Sequence, residues 1–170
     1  MSQQSILQSF IGERWIGQHA AKSLRSAING QTITHTHEES LDFAEAIAYA
    51  RQRGINELMA MDFQQRAQRL KALAKYLLER KEELYALSHH SGATRADSWI
   101  DIEGGAGTLF TYSGIGAREM PSGNVVHEGP AMPLGKLNTF AGSHILVPRG
   151  GVALHINAFN FPIWLSLIHI

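Results

Sequence analysis

The chain contains no cysteine. This absence excludes disulfide bonds, thiolate metal sites and a cysteine nucleophile anywhere in its 170 residues. An excess of charge of either sign is also missing, because fifteen Lys and Arg residues balance fifteen Asp and Glu residues to a formal net charge of zero. Without net positive charge or a basic cluster, the composition predicts neither a nucleic-acid partner nor binding to an anionic membrane.

Long hydrophobic runs are absent as well. No apolar stretch approaches the roughly 18 residues that a membrane span requires. Residues 1–11 carry no basic residue ahead of their apolar positions, unlike a secretion signal. We therefore expect a soluble, cytoplasmic protein with no membrane partner. A chain of 170 residues is long enough for one domain or for part of one.

The most informative segment lies near the end of the chain, in residues 145–164. Residues 152–156, Val-Ala-Leu-His-Ile, have the length and β-branched content of a buried strand. Pro162 lacks a backbone N–H and favours an extended residue before it, so the strand must end there. Because open α/β sheets bind ligands at the C-terminal ends of their strands, we expect a binding site in the loop 157–162.

Further β-structure is predicted near the N-terminus. Residues 10–16 predict a short hairpin with Gly12 at its turn. Residues 23–37 predict strands joined around Asn29-Gly30, a dipeptide suited to tight turns. The chain is therefore expected to begin with small β-elements before its helices.

His35 and His37 alternate along the second of these regions. Two histidines at this spacing are able to chelate a metal, but a third ligand is needed, for which Glu38 and Glu39 are no more than candidates. The favoured interpretation is that both histidines are solvent-facing strand residues, so we expect no metal site.

The first predicted helix covers residues 41–51, with Ser40 as its N-cap. Asp42 and Glu45 would lie near the positive end of its dipole. Gly54 is expected to break the chain before the next helix. This first helix is therefore predicted to be short and separate.

The second predicted helix begins at a capping box formed by Asp62 and Gln65, extends to about Ser88 and stops near Gly92. Its apolar residues recur at helical spacing. They favour a stripe packed in the core over a partner-binding groove. The stripe consists of Ala67, Leu70, Leu73, Ala74, Leu77, Leu78 and Leu84.

A third helix is predicted over residues 99–119, although Gly104, Gly105 and Gly107 are poor helix formers. Glycines at such positions often permit close packing of helices. They indicate a phosphate-binding loop only weakly, because no complete Gly-x-Gly-x-x-Gly fingerprint follows a strand. Residues 121–142 come next; they are rich in Gly and Pro and lack helical periodicity, which is also typical of an ordinary surface loop.

Two segments resemble a known family. Residues 151–162 follow the pattern Gly-Val-Ala-x-x-Ile-x-x-Phe-Asn-Phe-Pro, which is similar to the strand-and-loop signature of aldehyde dehydrogenases. The common form of its end is Pro-Trp-Asn-Phe-Pro. The variant here, together with residues 91–105, is most similar to the bifunctional group in phenylacetate catabolism, in which an enoyl-CoA hydratase follows the dehydrogenase. The resemblance covers residues 10–164.

The resemblance implies an α/β fold over residues 1–164, consisting of helices plus the first strands of a Rossmann-like NAD(P)-binding domain that is incomplete here. It implies that residues 121–142 contribute strands to an oligomerisation arm and that the full-length enzyme is a homo-oligomer. Residues 165–170, Leu-Ser-Leu-Ile-His-Ile, depart from the family pattern. They are similar to a translated sequencing adapter, so we interpret them as a doubtful tail.

The resemblance also assigns roles to residues. Asn160 would donate its side-chain N–H to the oxyanion formed from the aldehyde, while Ile156, Ala158 and Phe159 would contact the cofactor, NAD or NADP. Ala158 and Phe159 replace the commoner Pro-Trp, which changes their contacts with the cofactor. The substrate would be a small aldehyde, in this group a CoA-linked semialdehyde. A structural alternative for Asn160 is that it only satisfies loop backbone groups.

Most of the family's catalytic machinery is absent from this sequence. The nucleophilic cysteine, the water-activating glutamate and the lysine that binds the adenosine ribose all follow Trp164 in the family. We therefore interpret the chain as an N-terminal fragment that is inactive alone. The alternative is a non-catalytic helical interaction module derived from the same fold, for which the missing cysteine is the best argument.

Overall fold

The computed structural model describes residues 5–137 and 139–170 of the chain. Helices and strands are mixed in these residues, as the predicted α/β class requires. The strands are β1 (Ile6–Leu7), β2 (Ser9–Ile11), β3 (Arg14–Ile16), β4 (Ala20–Arg25), β5 (Thr32–His37), β6 (Val126–Leu134) and β7 (Phe140–Leu146). The helices are α1 (Phe43–Tyr49), α2 (Ile55–Ala60), α3 (Phe63–Glu79), α4 (Lys81–His89), α5 (Arg95–Trp99), α6 (Gly105–Arg118) and α7 (Pro162–His169).

The predicted N-terminal hairpin is present. β2 and β3 pair antiparallel, with Phe10 opposite Trp15 and their rings 4.9 Å apart. Gly12 and Glu13 both have positive φ, at 55° and 64°, which is the conformation of a tight hairpin turn. Gly12 is therefore at the turn, as predicted from the sequence.

A second small sheet has the strand order β1-β5-β4, with β4 antiparallel and β1 parallel to β5. The connection between β4 and β5 contains the predicted Asn29-Gly30, and Gly30 has φ 70°. It comprises residues 26–31, longer than a two-residue turn, and Ser26 within it is buried. The N–H of Ala27 donates to the carbonyl of His90 over 2.9 Å, so the connection is attached to the end of α4.

Glu39 links the segment after β3 to the end of β5. Its Oε1 accepts from the N–H groups of Gln18 and His19 at 2.7 and 2.9 Å. The hydrogen bond from Gln18 is the main cause that lowers the pKa of Glu39 to about 2. His37 Nδ1 lies 3.3 Å from Oε2 of the same carboxylate. Within the described residues, no group of three His, Asp or Glu side chains is arranged to hold a metal; His35 and His37 are half-buried, not solvent-facing.

We expect this hydrogen bonding to appear as pH-dependent stability. The pKa of Glu39 is about 2 in the folded chain against an ordinary value of 4.5, so the unfolded chain takes up the proton first. Stability from the ionised carboxylate is therefore complete above pH 4.5 and is lost as the pH falls towards 2. Glu39→Gln should flatten this pH dependence, followed as the loss of circular dichroism from pH 4.5 towards pH 2 at low protein concentration.

The control for this prediction is Glu38→Gln. Glu38 is adjacent and exposed, and its carboxylate takes no part in the hydrogen bonds from residues 18 and 19. The Glu38 variant should keep the wild-type slope in the same pH range. Equal slopes for wild type and Glu39→Gln would refute the prediction.

Two details of the first predicted helix are wrong. Its N-cap is Asp42 instead of Ser40, because the Asp42 carboxylate accepts from the N–H of Glu45 over 2.9 Å. Gly54 does not break the chain; it lies with helical φ and ψ in a π-helical turn, Ala50–Gly54, that joins α1 to α2. The break comes at Met61, which is extended.

The second predicted helix is confirmed at both ends. Asp62 accepts from the N–H of Gln65 over 2.7 Å, and Gln65 Oε1 accepts from the N–H of Asp62 over 2.9 Å, which completes the capping box. A single non-helical residue, Arg80, divides the helix into α3 and α4. α4 ends at His89, and Gly92 follows with φ 90°, where it helps to terminate the helix.

The core lies where α3 and α7 pack on α6. Its buried centre is Ala74, Leu109 and Leu167, and the half-buried side chains around it are Leu70, Leu73, Leu77, Phe110 and Ile163. The leucine stripe is therefore core, as predicted. Close approach of α3 and α6 depends on Gly116, where a Cβ would lie only 3.0 Å from the Cβ of Ala67.

The strands β6 and β7 form an exposed two-stranded ribbon. β6 and β7 pair antiparallel from Val126 opposite Leu146 to Leu134 opposite Phe140, with an irregular register between Glu128 and Met132. The segment predicted as either arm strands or a surface loop is thus largely strand, and β7 continues beyond residue 142. Among the described residues, no helix is both long and apolar enough to cross a membrane.

Candidate functional site

The segment between β7 and α7 carries the residues that the sequence assigned to a site. Residues 152–156 are not a strand, contrary to the prediction. They lie in no regular element, and Leu154 and Ile156 are 83% and 85% exposed. A strand needs a neighbour for its N–H and C=O groups. β6 and β7 pair with each other, and in the described part of the chain no strand lies beside this segment.

Asn160 lies in a turn immediately before α7. The turn is closed by the N–H of Phe161, which donates to the carbonyl of Ala158 over 3.4 Å. The Asn160 side chain is exposed. Asn157, three residues earlier, instead donates from its amide to Ser166 Oγ on α7. Of the two asparagines, Asn157 is therefore the one that binds the segment to the fold, and Asn160 is exposed at the turn.

The three predicted cofactor residues lie in the same segment. Ile156, Ala158 and Phe159 are all exposed, and Phe159 is 85% exposed. The structure therefore places these three apolar side chains and the Asn160 amide within five consecutive residues. A neutral amide donor beside apolar side chains is suited to stabilising a developing oxyanion, because it supplies N–H groups without carrying a charge or a titratable proton.

α7 begins directly after this turn, with Pro162 at its first position, where a missing N–H is tolerated. The next two N–H groups both donate to Oδ1 of Asp101, over 3.1 Å from Ile163 and 2.7 Å from Trp164. Asp101 is only 2% exposed. Burial raises its pKa, and these two hydrogen bonds partly oppose that shift. A buried carboxylate therefore holds the start of the helix that follows Asn160.

Asp101 was not singled out from the sequence. The sequence signal was weak: Asp101 lies between two apolar residues, Ile100 and Ile102, within the predicted third helix. An acidic residue at a core position requires hydrogen-bond donors. Those donors come from a segment 62 residues later in the chain, so helical periodicity alone does not identify them.

Asp101 lies in a π-helical turn, Ile100–Gly104, that continues directly into α6. Gly104 and Gly105 let α7 pack closely against this turn and the start of α6. A Cβ at Gly104 would overlap the ring of Trp164, whose Cε3 would be 3.0 Å away. A Cβ at Gly105 would lie 3.1 Å from the backbone Cα of Trp164. These glycines lie within continuous helix, which rules out a phosphate-binding loop at this position and confirms the predicted close packing.

Gly104→Ala should loosen α7. Overpacking of this kind typically costs about 1–3 kcal/mol, which corresponds to an increase of roughly 5- to 150-fold in local opening of α7. We expect faster amide hydrogen exchange in the Pro162–His169 helix, measured by mass spectrometry. Gly107→Ala is the matched control, because a Cβ there meets no atom within 4 Å. Unchanged exchange in the Gly104 variant would contradict the assignment.

Glu103, a second acidic residue in the turn Ile100–Gly104, has different hydrogen-bond partners from Asp101. Glu103 Oε1 accepts from the Tyr85 hydroxyl over 2.9 Å and pairs with Lys81 Nζ at 3.1 Å. The hydrogen bond from Tyr85, followed by that from Lys81, lowers the pKa of Glu103. Glu103 therefore connects this turn to α4, whereas Asp101 connects it to α7.

Comparison with known proteins shows the family to which the chain belongs. The sequence model of the aldehyde dehydrogenase family matches residues 15–170, which include Asp101, Asn160 and α7. The chain is 33% identical over 160 residues to a 3,4-dehydroadipyl-CoA semialdehyde dehydrogenase of Aromatoleum evansii. That alignment covers 93% of this chain and 31% of the length of the relative. The chain belongs to the aldehyde dehydrogenase family, and its helices and strands form part of that family's α/β domain.

Proposed function

We propose that this chain is the N-terminal part of an NAD(P)-dependent aldehyde dehydrogenase that oxidises a CoA-linked semialdehyde to the acid. The observation that carries the proposal is the exposed Asn160 amide in a turn fixed to the core through α7, in a chain that matches the family over residues 15–170. The CoA-linked substrate rests on the similarity to a relative named as a CoA-semialdehyde dehydrogenase. A place in aromatic catabolism, such as phenylacetate degradation, is part of the same proposal.

Asn160 is the proposed oxyanion donor. When a nucleophile adds to the aldehyde carbon, the carbonyl oxygen gains negative charge, and an amide N–H directed at that oxygen stabilises the transition state. The chain has no cysteine, so the nucleophile must come from elsewhere in the protein. The role proposed for this chain is to supply one donor of the oxyanion site and part of its apolar wall.

Ile156, Ala158 and Phe159 are the residues proposed to contact the cofactor. They fit such a group because they are exposed, apolar and adjacent to the Asn160 amide, so a planar ring is able to cover side chains that otherwise face water. NAD or NADP, when bound, accepts the hydride that leaves the substrate carbon. The contribution of these residues is to exclude water from one side of the reacting group.

The partners follow from the same proposal. The proposed substrate is a small-molecule aldehyde of the CoA-linked kind, and the enzyme is proposed to be cytoplasmic. We propose that the full-length enzyme is a homo-oligomer that uses the β6–β7 ribbon. Five exposed large apolar side chains on that ribbon support this surface: Met132, Leu134, Phe140, Ile145 and Leu146.

The decisive experiment is to read the source DNA past codon 164. An open frame that encodes a cysteine and a glutamate in an aldehyde dehydrogenase catalytic domain, with NAD(P)⁺-dependent oxidation of semialdehydes by the expressed protein, supports the proposal. The same reading shows whether residues 165–170 belong to the protein and whether a hydratase domain follows. A stop codon without such a frame would instead favour a non-catalytic helical interaction module.

A further inference from the structure

Asp101 is a buried carboxylate whose described contacts all lead to the start of α7. Both hydrogen bonds to its Oδ1 come from backbone N–H groups, those of Ile163 and Trp164. Among the ion pairs of the described residues, none includes Asp101. The compensating charge is therefore the positive end of the α7 dipole, which stabilises a carboxylate at this position.

The contact is close to Asn160 along the chain. Ile163 follows Asn160 by three residues, and Pro162 between them has a restricted φ. A helical hydrogen bond also reaches back to the turn: the N–H of Leu165 donates to the carbonyl of Phe161 over 3.2 Å. Fixing the two N–H groups thus leaves few backbone rotations free between the buried carboxylate and Asn160.

The contact is also shielded from water. Asp101 is 2% exposed, and Gly104 and Gly105 allow Trp164 to pack directly on the helix that carries Asp101. Water has little access to replace a lost acceptor there, so removing the carboxylate leaves N–H groups unsatisfied at the base of the turn.

We propose that Asp101 is a positioning residue for the reaction: by holding the N–H groups of Ile163 and Trp164 it fixes the turn that presents Asn160 to the oxyanion. This inference rests on the proposed function of Asn160. Asp101 is not expected to touch the substrate or the cofactor. Its effect on turnover should therefore pass through Asn160 alone.

The test uses the enzyme expressed from the complete gene, with Asp101→Leu and Asp101→Asn. Leucine removes the carboxylate that accepts both hydrogen bonds. Its kcat should fall by about 10²-fold, which is a common loss when a reactive group is misplaced. Asparagine keeps one carbonyl oxygen in the same place, so its kcat should fall by less than about 10-fold. The KM for the cofactor should change little in either variant.

Glu103→Gln is the matched control, because Glu103 binds Tyr85 and Lys81, and it should keep wild-type kcat.

The double variant Asp101→Leu, Asn160→Ala separates positioning from general stability. If Asp101 acts through Asn160, adding Asp101→Leu to the Asn160→Ala enzyme should lower its kcat by less than about a further 3-fold. An equal reduction by Asp101→Leu in both backgrounds would overturn the positioning role and leave the oxyanion role intact. Full activity of Asn160→Ala alone would refute the proposed function, and the positioning role with it.

A second measurement does not depend on activity. Hydrogen exchange of the peptide that spans residues 158–166 should be faster in Asp101→Leu and near wild type in Glu103→Gln. Should the leucine variant fail to fold, Asp101→Asn provides both the exchange and the kinetic comparison. Wild-type exchange in folded Asp101→Leu, or in Asp101→Asn if the kcat of that variant has fallen, would overturn the proposal.

Discussion

We expect Asn160→Ala, in the enzyme that contains this chain, to lower turnover by about 10²–10³, or roughly 3–4 kcal/mol of transition-state stabilisation. The reason is that the oxyanion loses one hydrogen-bond donor at the moment when its negative charge develops. Cofactor affinity should change little, because the proposed cofactor contacts come from neighbouring side chains. Steady-state kinetics with aldehyde and NAD(P)⁺ as varied substrates measure both quantities.

Asn160→Asp is expected to be at least as damaging, because a carboxylate would face the developing negative charge. Asn157→Ala is the matched control. Its amide donates to Ser166 on α7, and loss of an exposed hydrogen bond costs only about 0.5–1.5 kcal/mol of stability. We therefore expect a much smaller effect on turnover. Equal losses in the two alanine variants, or none in Asn160→Ala, would show that the turn is merely structural.

The isolated 170-residue chain should self-associate. The segment before α7 exposes Leu154, Ile156 and Phe159 almost completely, and its backbone lies beside no strand within the described residues. Such apolar surface and unpaired backbone favour contact between copies. We expect aggregation, or otherwise a loose helical domain, in sedimentation and thermal unfolding experiments. A monomer with one sharp, cooperative unfolding transition would contradict this expectation.

Leu154→Lys, Ile156→Lys and Phe159→Lys together should weaken this association by at least about 10²-fold. Burial of one large apolar side chain is worth about 1.5–3 kcal/mol, so even partial burial of three accounts for that factor. The control places the same three added charges on exposed helical positions: Gln52→Lys, Gln68→Lys and Ala72→Lys. If both triple variants reduce association equally, net charge and not the apolar segment is responsible.

Local interactions account for the elements that were predicted correctly. The capping box of Asp62 and Gln65 and the hairpin turn at Gly12 involve residues within a few positions of each other. Their free energy depends on nearby backbone and side-chain groups, so the residue types alone predict them. The leucine stripe is similar, because its helical spacing already shows which face must be removed from water.

The wrong predictions have different causes. Ser40 and Asp42 are both good N-caps, and their preference for this position is nearly equal, so the sequence does not choose between them. Residues 152–156 have the composition of a buried strand. A strand also requires a hydrogen-bonded neighbour, and which segments become neighbours is a property of the tertiary structure.

The amino-acid sequence by itself determined the helical region from Asp62 to His89, the hairpin at Gly12 and the family resemblance that made Asn160 the candidate donor. Each depends on a short motif or on one repeating period. Only the tertiary structure decided that Asn157 binds α7, that Asn160 is exposed, and that Asp101 accepts from residues 163 and 164. The physical reason is sequence separation: a buried carboxylate requires donors, but the sequence does not specify which distant N–H groups packing will bring to it.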